Sequence, residues 1–248
     1  VIFNTVQANS IANAMTYAFD LPAIVTGCAL ALVILLVIVR GLRGVAKLLQ
    51  WIVPLMALLW VTTSLLIGLW HITALPAIFE SIFRSAFGWQ EAAAGAAGYT
   101  LSQAIASGFQ RGMFSNEAGM GSTPNAAASA ASWPPHPAAQ GIVQMIGVLG
   151  DTLILCTASA MIVLLAGNGT SSIPIEGIQL LQRAMVSLTG EWGAGFVAFI
   201  VILFAFSSIV ANYIYAENNL VFLKLDNMRV IWLLRIATIS TIIGGTFV

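Results

Sequence analysis

The stretch Gly108 to Asn125, reading GFQRGMFSNEAGMGSTPN, sets Arg111, Asn116 and Glu117 among glycines and one proline, between long apolar segments. A charged residue at the centre of a membrane helix costs about 2.5–3.5 kcal/mol on insertion scales, so charges at that depth are functional by default. Arg111 and Glu117 stand six positions from one another, whereas residues that pair along a helix are three or four apart. Either the helix breaks between them or each finds a partner elsewhere. The chemistry they offer is a gate or pore-side charge pair beside a substrate site. The plainer reading is structural charge satisfied by neighbouring helices. Ser115, Asn116, Ala118, Gly119, Gly121 and Ser122 bring a second chemistry. Unwound backbone offers carbonyls to a cation or an amine, and half-helix N-termini offer N–H groups to a carboxylate. Small residues let a ligand approach the backbone. Helix packing explains small residues equally well, but not the charges beside them.

Three further positions carry possible chemistry. Ser207 and Ser208 interrupt an apolar run, FAFSSIVANY, and adjacent hydroxyls can act as hard oxygen ligands for Na⁺. Taken alone they read better as hydroxyls bonded to their own helix carbonyls. Asp151 in mid-span is a proton or ion site, or equally a buried carboxylate bonded to hydroxyls such as that of Thr152. Gln7, Asn9 and Asn13 form a polar set that lines a cavity or joins helices, with Gln7 as the cavity residue.

The elements that must position these groups are apolar helices. The chain is 59% hydrophobic and 7% charged, against about 25% charged in a soluble domain. That composition predicts an all-α polytopic membrane protein, read as a single transmembrane domain over 1–248. The approximate spans are 1–19 (partial), 22–39, 48–70, 92–132 (broken), 138–165, 192–216 and 230–248 (partial). Residues 71–90 hold a short interfacial helix, and a second amphipathic helix runs from Ile175 to Leu188. As one straight helix, 92–132 would measure about 60 Å, twice the hydrocarbon thickness of about 30 Å, so it must break, tilt or leave the membrane. Trp133-Pro134-Pro135-His136-Pro137 ends it. Arg40, Arg43 and Lys47 on one connection, and Lys224, Arg229 and Arg235 around another, put both on the cytoplasmic side. Counting spans places them on that same side. Glu80, Arg84, Glu176 and Arg183 then face outward, and Trp70, Trp89, Trp133 and Trp192 anchor span ends at the interface.

Zero net charge and the lack of a basic run speak against nucleic-acid partners. Cys28 and Cys156 sit in apolar helices and read as inert thiols. The chain opens at Val1 inside one apolar stretch and stops at Val248 inside another, which reads as an internal fragment.

The run GFQRGMFSNEAGMGSTPNAAASAA closely resembles the signature of the alanine or glycine:cation symporters, the sodium:alanine symporter family. The resemblance continues through GYTLSQAIASGFQRGMFSNEAG, SWPPHPAAQGIVQMIG, DTLILCTASAMIVLLAG and FAFSSIVANYIYAENN. It implies a five-plus-five inverted-repeat (LeuT-like) transporter fold with a discontinuous central helix. The segments here would be the end of core helix three, helices four to eight and the start of nine, with the N-terminal helices of the same protein missing. It implies sodium-coupled symport of a small neutral amino acid of the alanine and glycine class, by alternating access across the cytoplasmic (inner) membrane, with Na⁺ as coupling ion. The unwound part of helix six would be Phe114 to Gly119, contacting substrate through backbone and Asn116. Gln7 would come from helix three. Ser207 and Ser208 would match a Na⁺-coordinating hydroxyl pair, completed by helix-one carbonyls, which reverses the plainer reading above. Where many members carry Gly-Trp, this chain has Ala211 and Asn212. If that Trp walls the pocket, Asn212 leaves it roomier and more polar, open to a larger or polar amino acid.

Three rivals stand beside this reading. One is a proton-coupled carrier on the same fold using Asp151 or Glu117. Another is an intramembrane enzyme with Ser115 or Ser207 as nucleophile, which needs a base at membrane depth. The histidines, His71 and His136, fall in loops on opposite sides, and no Lys lies in mid-span. The third is an inert fragment that lacks half of the site.

Overall fold

The computed structural model describes residues 2–40, 42–86, 121–131, 133, 135–167 and 177–247, with isolated positions at 102, 105, 106 and 108. Every regular element among them is helical. In order these are α1 (Phe3–Phe19), α2 (Ala23–Arg40), α3 (Leu42–Trp70), α4 (Leu75–Ala86), α5 (Ser122–Ser129), α6 (Pro137–Gly150), α7 (Thr157–Ala166), α8 (Ile178–Thr189), α9 (Trp192–Phe222) and α10 (Met228–Gly245). A 3-10 turn, Ile72–Ala74, precedes α4, and a π-helical stretch, Asp151–Cys156, joins α6 to α7. Four helical stretches among the described residues are long and apolar enough to cross a membrane: Lys47–Trp70, Pro137–Ala166, Trp192–Phe222 and Met228–Gly245. The protein is an all-helical, multi-pass membrane protein.

Local chemistry sets the helix ends. α1 stops at Asp20, whose φ of 56° is left-handed and whose N–H bonds the Thr16 carbonyl at 3.0 Å. The Thr16 hydroxyl then donates to the Leu21 carbonyl at 2.8 Å, and Pro22 follows. Pro137 opens α6, where a missing N–H costs nothing, and His136 Nδ1 accepts from the Ala138 N–H at 3.1 Å. Pro54 lies inside α3 without ending it. The span expected to finish at 216 continues to Phe222. Glu217, Asn218 and Asn219 end the apolar run but not the helix, because polar side chains are compatible with helical backbone. The Asn219 side chain donates to the Tyr215 carbonyl at 2.8 Å.

The chain divides into two compact units, Val1–Trp60 with Asn168–Val248, and Val61–Gly167. In the first, α1 is central and packs against α2, α8, α9 and α10. Its core joins Ala8 and Ile11 of α1, Ile34 and Ile38 of α2, Ile209 and Val210 of α9 and Ile242 of α10. Lipid is as apolar as leucine, so such helices associate through close packing of small residues rather than through the hydrophobic effect. Ala8, Ala12, Ala14, Ala194, Ala198 and Ala205 are all buried here. Leu32, Leu36, Trp51 and Leu58 point outward, as lipid-facing positions do. In the second unit, α5 packs on α6 and α4 touches α7.

Gln182 of α8 ties the first unit together. It is fully buried, and its Nε2 donates to Ala14 O of α1 at 3.0 Å and Ala194 O of α9 at 3.1 Å. Its Oε1 is enclosed with no partner. Gln182→Glu is expected to destabilise the protein far more than Gln182→Leu. The two carbonyls already accept helix amides, so leucine removes two modest bonds, about 1 kcal/mol each. A buried carboxylate instead faces two carbonyl oxygens with no cation, a cost of about 3–5 kcal/mol. Acidification should relieve part of this, since the protonated acid regains one donor. Thermal unfolding of both variants across pH checks the order; leucine as the worse variant refutes it.

Candidate functional site

Ser207, Ser208 and Asn212 lie on α9 within an uncharged apolar run. The Ser207 hydroxyl donates to the Phe204 carbonyl at 2.7 Å, the self-bonded geometry that serines in membrane helices adopt. A hydroxyl that has donated its hydrogen keeps two lone pairs, so this bond does not compete with cation ligation. Ser208 is half-buried. Asn212, one helical turn later at i+4, shares its face. Asn212 does not stand free. It is 9% exposed, and its Nδ2 donates to Asn4 Oδ1 of α1 at 3.0 Å. Asn4 is fully buried, and its own Nδ2 has no partner. This buried amide pair bridges positions 208 residues apart in sequence.

The polar residues of α1 do not form one face. Asn13 Nδ2 donates to Asn9 Oδ1 at 2.8 Å, an i, i+4 pair. Gln7, two residues before Asn9, points to a different side and is half-buried. Grouping Gln7 with Asn9 and Asn13 therefore fails on helix geometry. The polar side chain of α1 that bonds a side chain of α9 is Asn4.

In the second unit, Asp151 is half-buried and begins the π-helical stretch in the middle of the apolar helix Pro137–Ala166. Such stretches within α-helices occur frequently at functional sites. The Thr157 hydroxyl reaches back five residues to the Thr152 carbonyl, at 3.5 Å, the spacing that π geometry creates. Two open grooves of about 520 and 370 Å³ run along α5 and α6, lined by residues such as Ala127, Ala131, Gln140 and Gln144. Of the expected site residues that are described, none lines them.

Arg111, Phe114, Ser115, Asn116, Glu117 and Gly119 lie outside the described residues. Immediately after them, Gly121 caps α5 at φ 91°, a left-handed conformation that favours glycine. Asn125 Nδ2 bonds the Gly121 carbonyl at 2.8 Å. Asn4 and Gln182 are the polar contacts that sequence reasoning missed. Their residue types carry no local signal, because each is defined by a partner on another helix.

The sodium:alanine symporter family matches residues 1–248, the whole chain. Among similar curated proteins is the uncharacterized transporter YaaJ of Escherichia coli, 69% identical over 99% of this chain and 52% of its own length. The probable sodium/glutamine symporter GlnT of Bacillus subtilis is 38% identical over 99% of this chain and 50% of its own. The amino-acid carrier protein AlsT of Bacillus subtilis is 41% identical over 99% and 51%. The chain thus spans about half the length of the curated relatives it matches. These relatives are named as transporters and carriers, not enzymes. With its whole length matched and its helices built to cross a membrane, the chain belongs to the sodium:alanine symporter family.

Proposed function

We propose that the protein of which this chain forms part carries out sodium-coupled symport of a small neutral amino acid across the cytoplasmic membrane, by alternating access on a five-plus-five inverted-repeat fold. The observation that carries the reading is the set Ser207, Ser208 and Asn212 on one apolar helix, in a chain matched along its whole length by this family. Ser207 and Ser208 supply two neutral oxygens of the kind a hard cation takes. Carbonyls of a broken helix elsewhere in the protein complete the set. Bound Na⁺ stabilises the outward-open state. The residues that the family resemblance assigns to the amino acid are Asn116 with the backbone of Phe114 to Gly119, Gln7 and Asn212. Arg111 and Glu117 serve as gate charges. Closure of the outer gate is followed by release inward, and the ion gradient supplies the work. The relatives' names support both alanine and glutamine as substrate classes.

A second reading rests on Asp151, whose place in a mid-span π-helical stretch suits a proton-coupled carrier. One experiment separates the two. The full-length protein in proteoliposomes should accumulate labelled alanine, glycine or a polar neutral amino acid only under an inward Na⁺ gradient. Uptake indifferent to Na⁺ and driven by a pH gradient would transfer the coupling role to Asp151.

A further inference from the structure

We infer that Asn4 is a positioning residue that fixes the Asn212 carboxamide so that its oxygen, not its nitrogen, faces the transport site, where it accepts from or ligates a cationic group. This rests on the reading in which α9 lines that site.

A carboxamide is two-sided, with two N–H donors on one atom and two lone pairs on the other. Left alone beside a ligand it can present either. The Asn212 Nδ2 is committed to Asn4 Oδ1 at 3.0 Å, inside the bundle. Asn4 is fully buried, and the bond joins α1 to α9 at a place where solvent cannot substitute for it. Beside the second N–H, the other polar group of Asn212 is its carbonyl oxygen. It is not among the enclosed, unpartnered side-chain atoms, although Asn4 Nδ2 is. Asn212 is 9% exposed, and among the described residues no hydrogen bond to its oxygen is seen. One turn earlier on the same face stands the Ser208 hydroxyl. Two neutral oxygens at i and i+4 form a surface that favours positive charge, with only the Ser208 O–H left to offer an anion. Na⁺ and the ammonium group of an amino acid share the chemistry that such a surface recognises.

The test uses the full-length protein in proteoliposomes, with Na⁺ and labelled alanine or glutamine as probes. Half-saturating Na⁺ is measured at saturating substrate, and substrate KM at saturating Na⁺. Asn212→Leu and Asn4→Leu are expected to raise one of these constants about fivefold to tenfold, the range of one buried hydrogen bond, with kcat within about twofold. Asn212→Asp keeps an oxygen toward the ligand, and the unpartnered Asn4 Nδ2 can turn to the new carboxylate, so that constant is expected to rise clearly less than in Asn212→Leu. A rise in the Na⁺ constant assigns the oxygen to the ion, and a rise in KM assigns it to the substrate ammonium. If Asn212→Asp is as impaired as Asn212→Leu, the nitrogen faces the ligand and the inference is overturned. If Asn4→Leu only lowers thermal stability, Asn4 is helix packing alone and the inference is likewise overturned. Should Asn4→Leu not fold, the two Asn212 variants decide by themselves. Wild-type uptake that ignores Na⁺ removes the sodium reading, and the KM pattern of the same variants still decides the role of Asn212.

Discussion

Replacing Ser208 by alanine is expected to raise the half-saturating Na⁺ concentration for uptake about tenfold to a hundredfold, with the fold intact. An oxygen facing an ion contributes more than a neutral hydrogen bond, about 1.5–3 kcal/mol, and each 1.4 kcal/mol is a factor of ten. Ser208 is half-buried on an apolar helix, so alanine leaves no large cavity and introduces no charge. Alanine also favours the helix more than serine does. Ser207→Ala makes the contrast sharper. It removes the bond to the Phe204 carbonyl, a contact that mildly bends and destabilises helices, along with one proposed ion ligand. Its thermal stability should hold or rise while its Na⁺ affinity falls. Paired measurements of unfolding temperature and Na⁺ dependence in the full-length protein check both variants. Unchanged Na⁺ dependence in both would remove the ion site from α9.

Gly245→Ala is expected to cost more stability than any other glycine-to-alanine change near the first unit's core. A Cβ at Gly245 of α10 would lie 2.5 Å from the Thr5 carbonyl oxygen of α1 and 2.7 Å from the Thr5 Cα. Both are backbone atoms, which cannot rotate aside. Two helices must separate, and overpacking of this kind costs about 1–3 kcal/mol. In a lipid-embedded bundle held by close packing, that separation also loses contacts along the rest of the α1–α10 interface. Gly27 is the control. There a Cβ would meet the Thr246 side chain at 2.7 Å, and a threonine rotamer can change. Gly27→Ala should therefore be the milder variant. Thermal unfolding of the purified full-length protein ranks them, and equal unfolding temperatures would mean that α1 and α10 do not meet so closely.

Much of the helical architecture could be read from the sequence because membrane helices announce themselves. Apolar runs such as those after Pro22 and after Trp192 coincide with α2 and α9, since in lipid each backbone amide must be satisfied within its own helix. α9 runs six residues beyond the apolar span that ends at 216, because polarity marks the membrane boundary rather than the helix boundary. The π-helical stretch at Asp151 had no sequence signal, since DTLILC differs little in propensity from its flanks.

The amino-acid sequence by itself determined that this chain is a set of apolar helices, that Ser207 and Ser208 share one of them, and that charges cluster with glycines between Gly108 and Asn125. These are properties of composition and local order. Only the tertiary structure decided that Asn4 holds Asn212 and that Gln182 joins three helices. Each of these depends on which helices become neighbours and at what rotation. A buried carboxamide is stable only where a partner from another segment completes it, and no spacing along one chain specifies that partner.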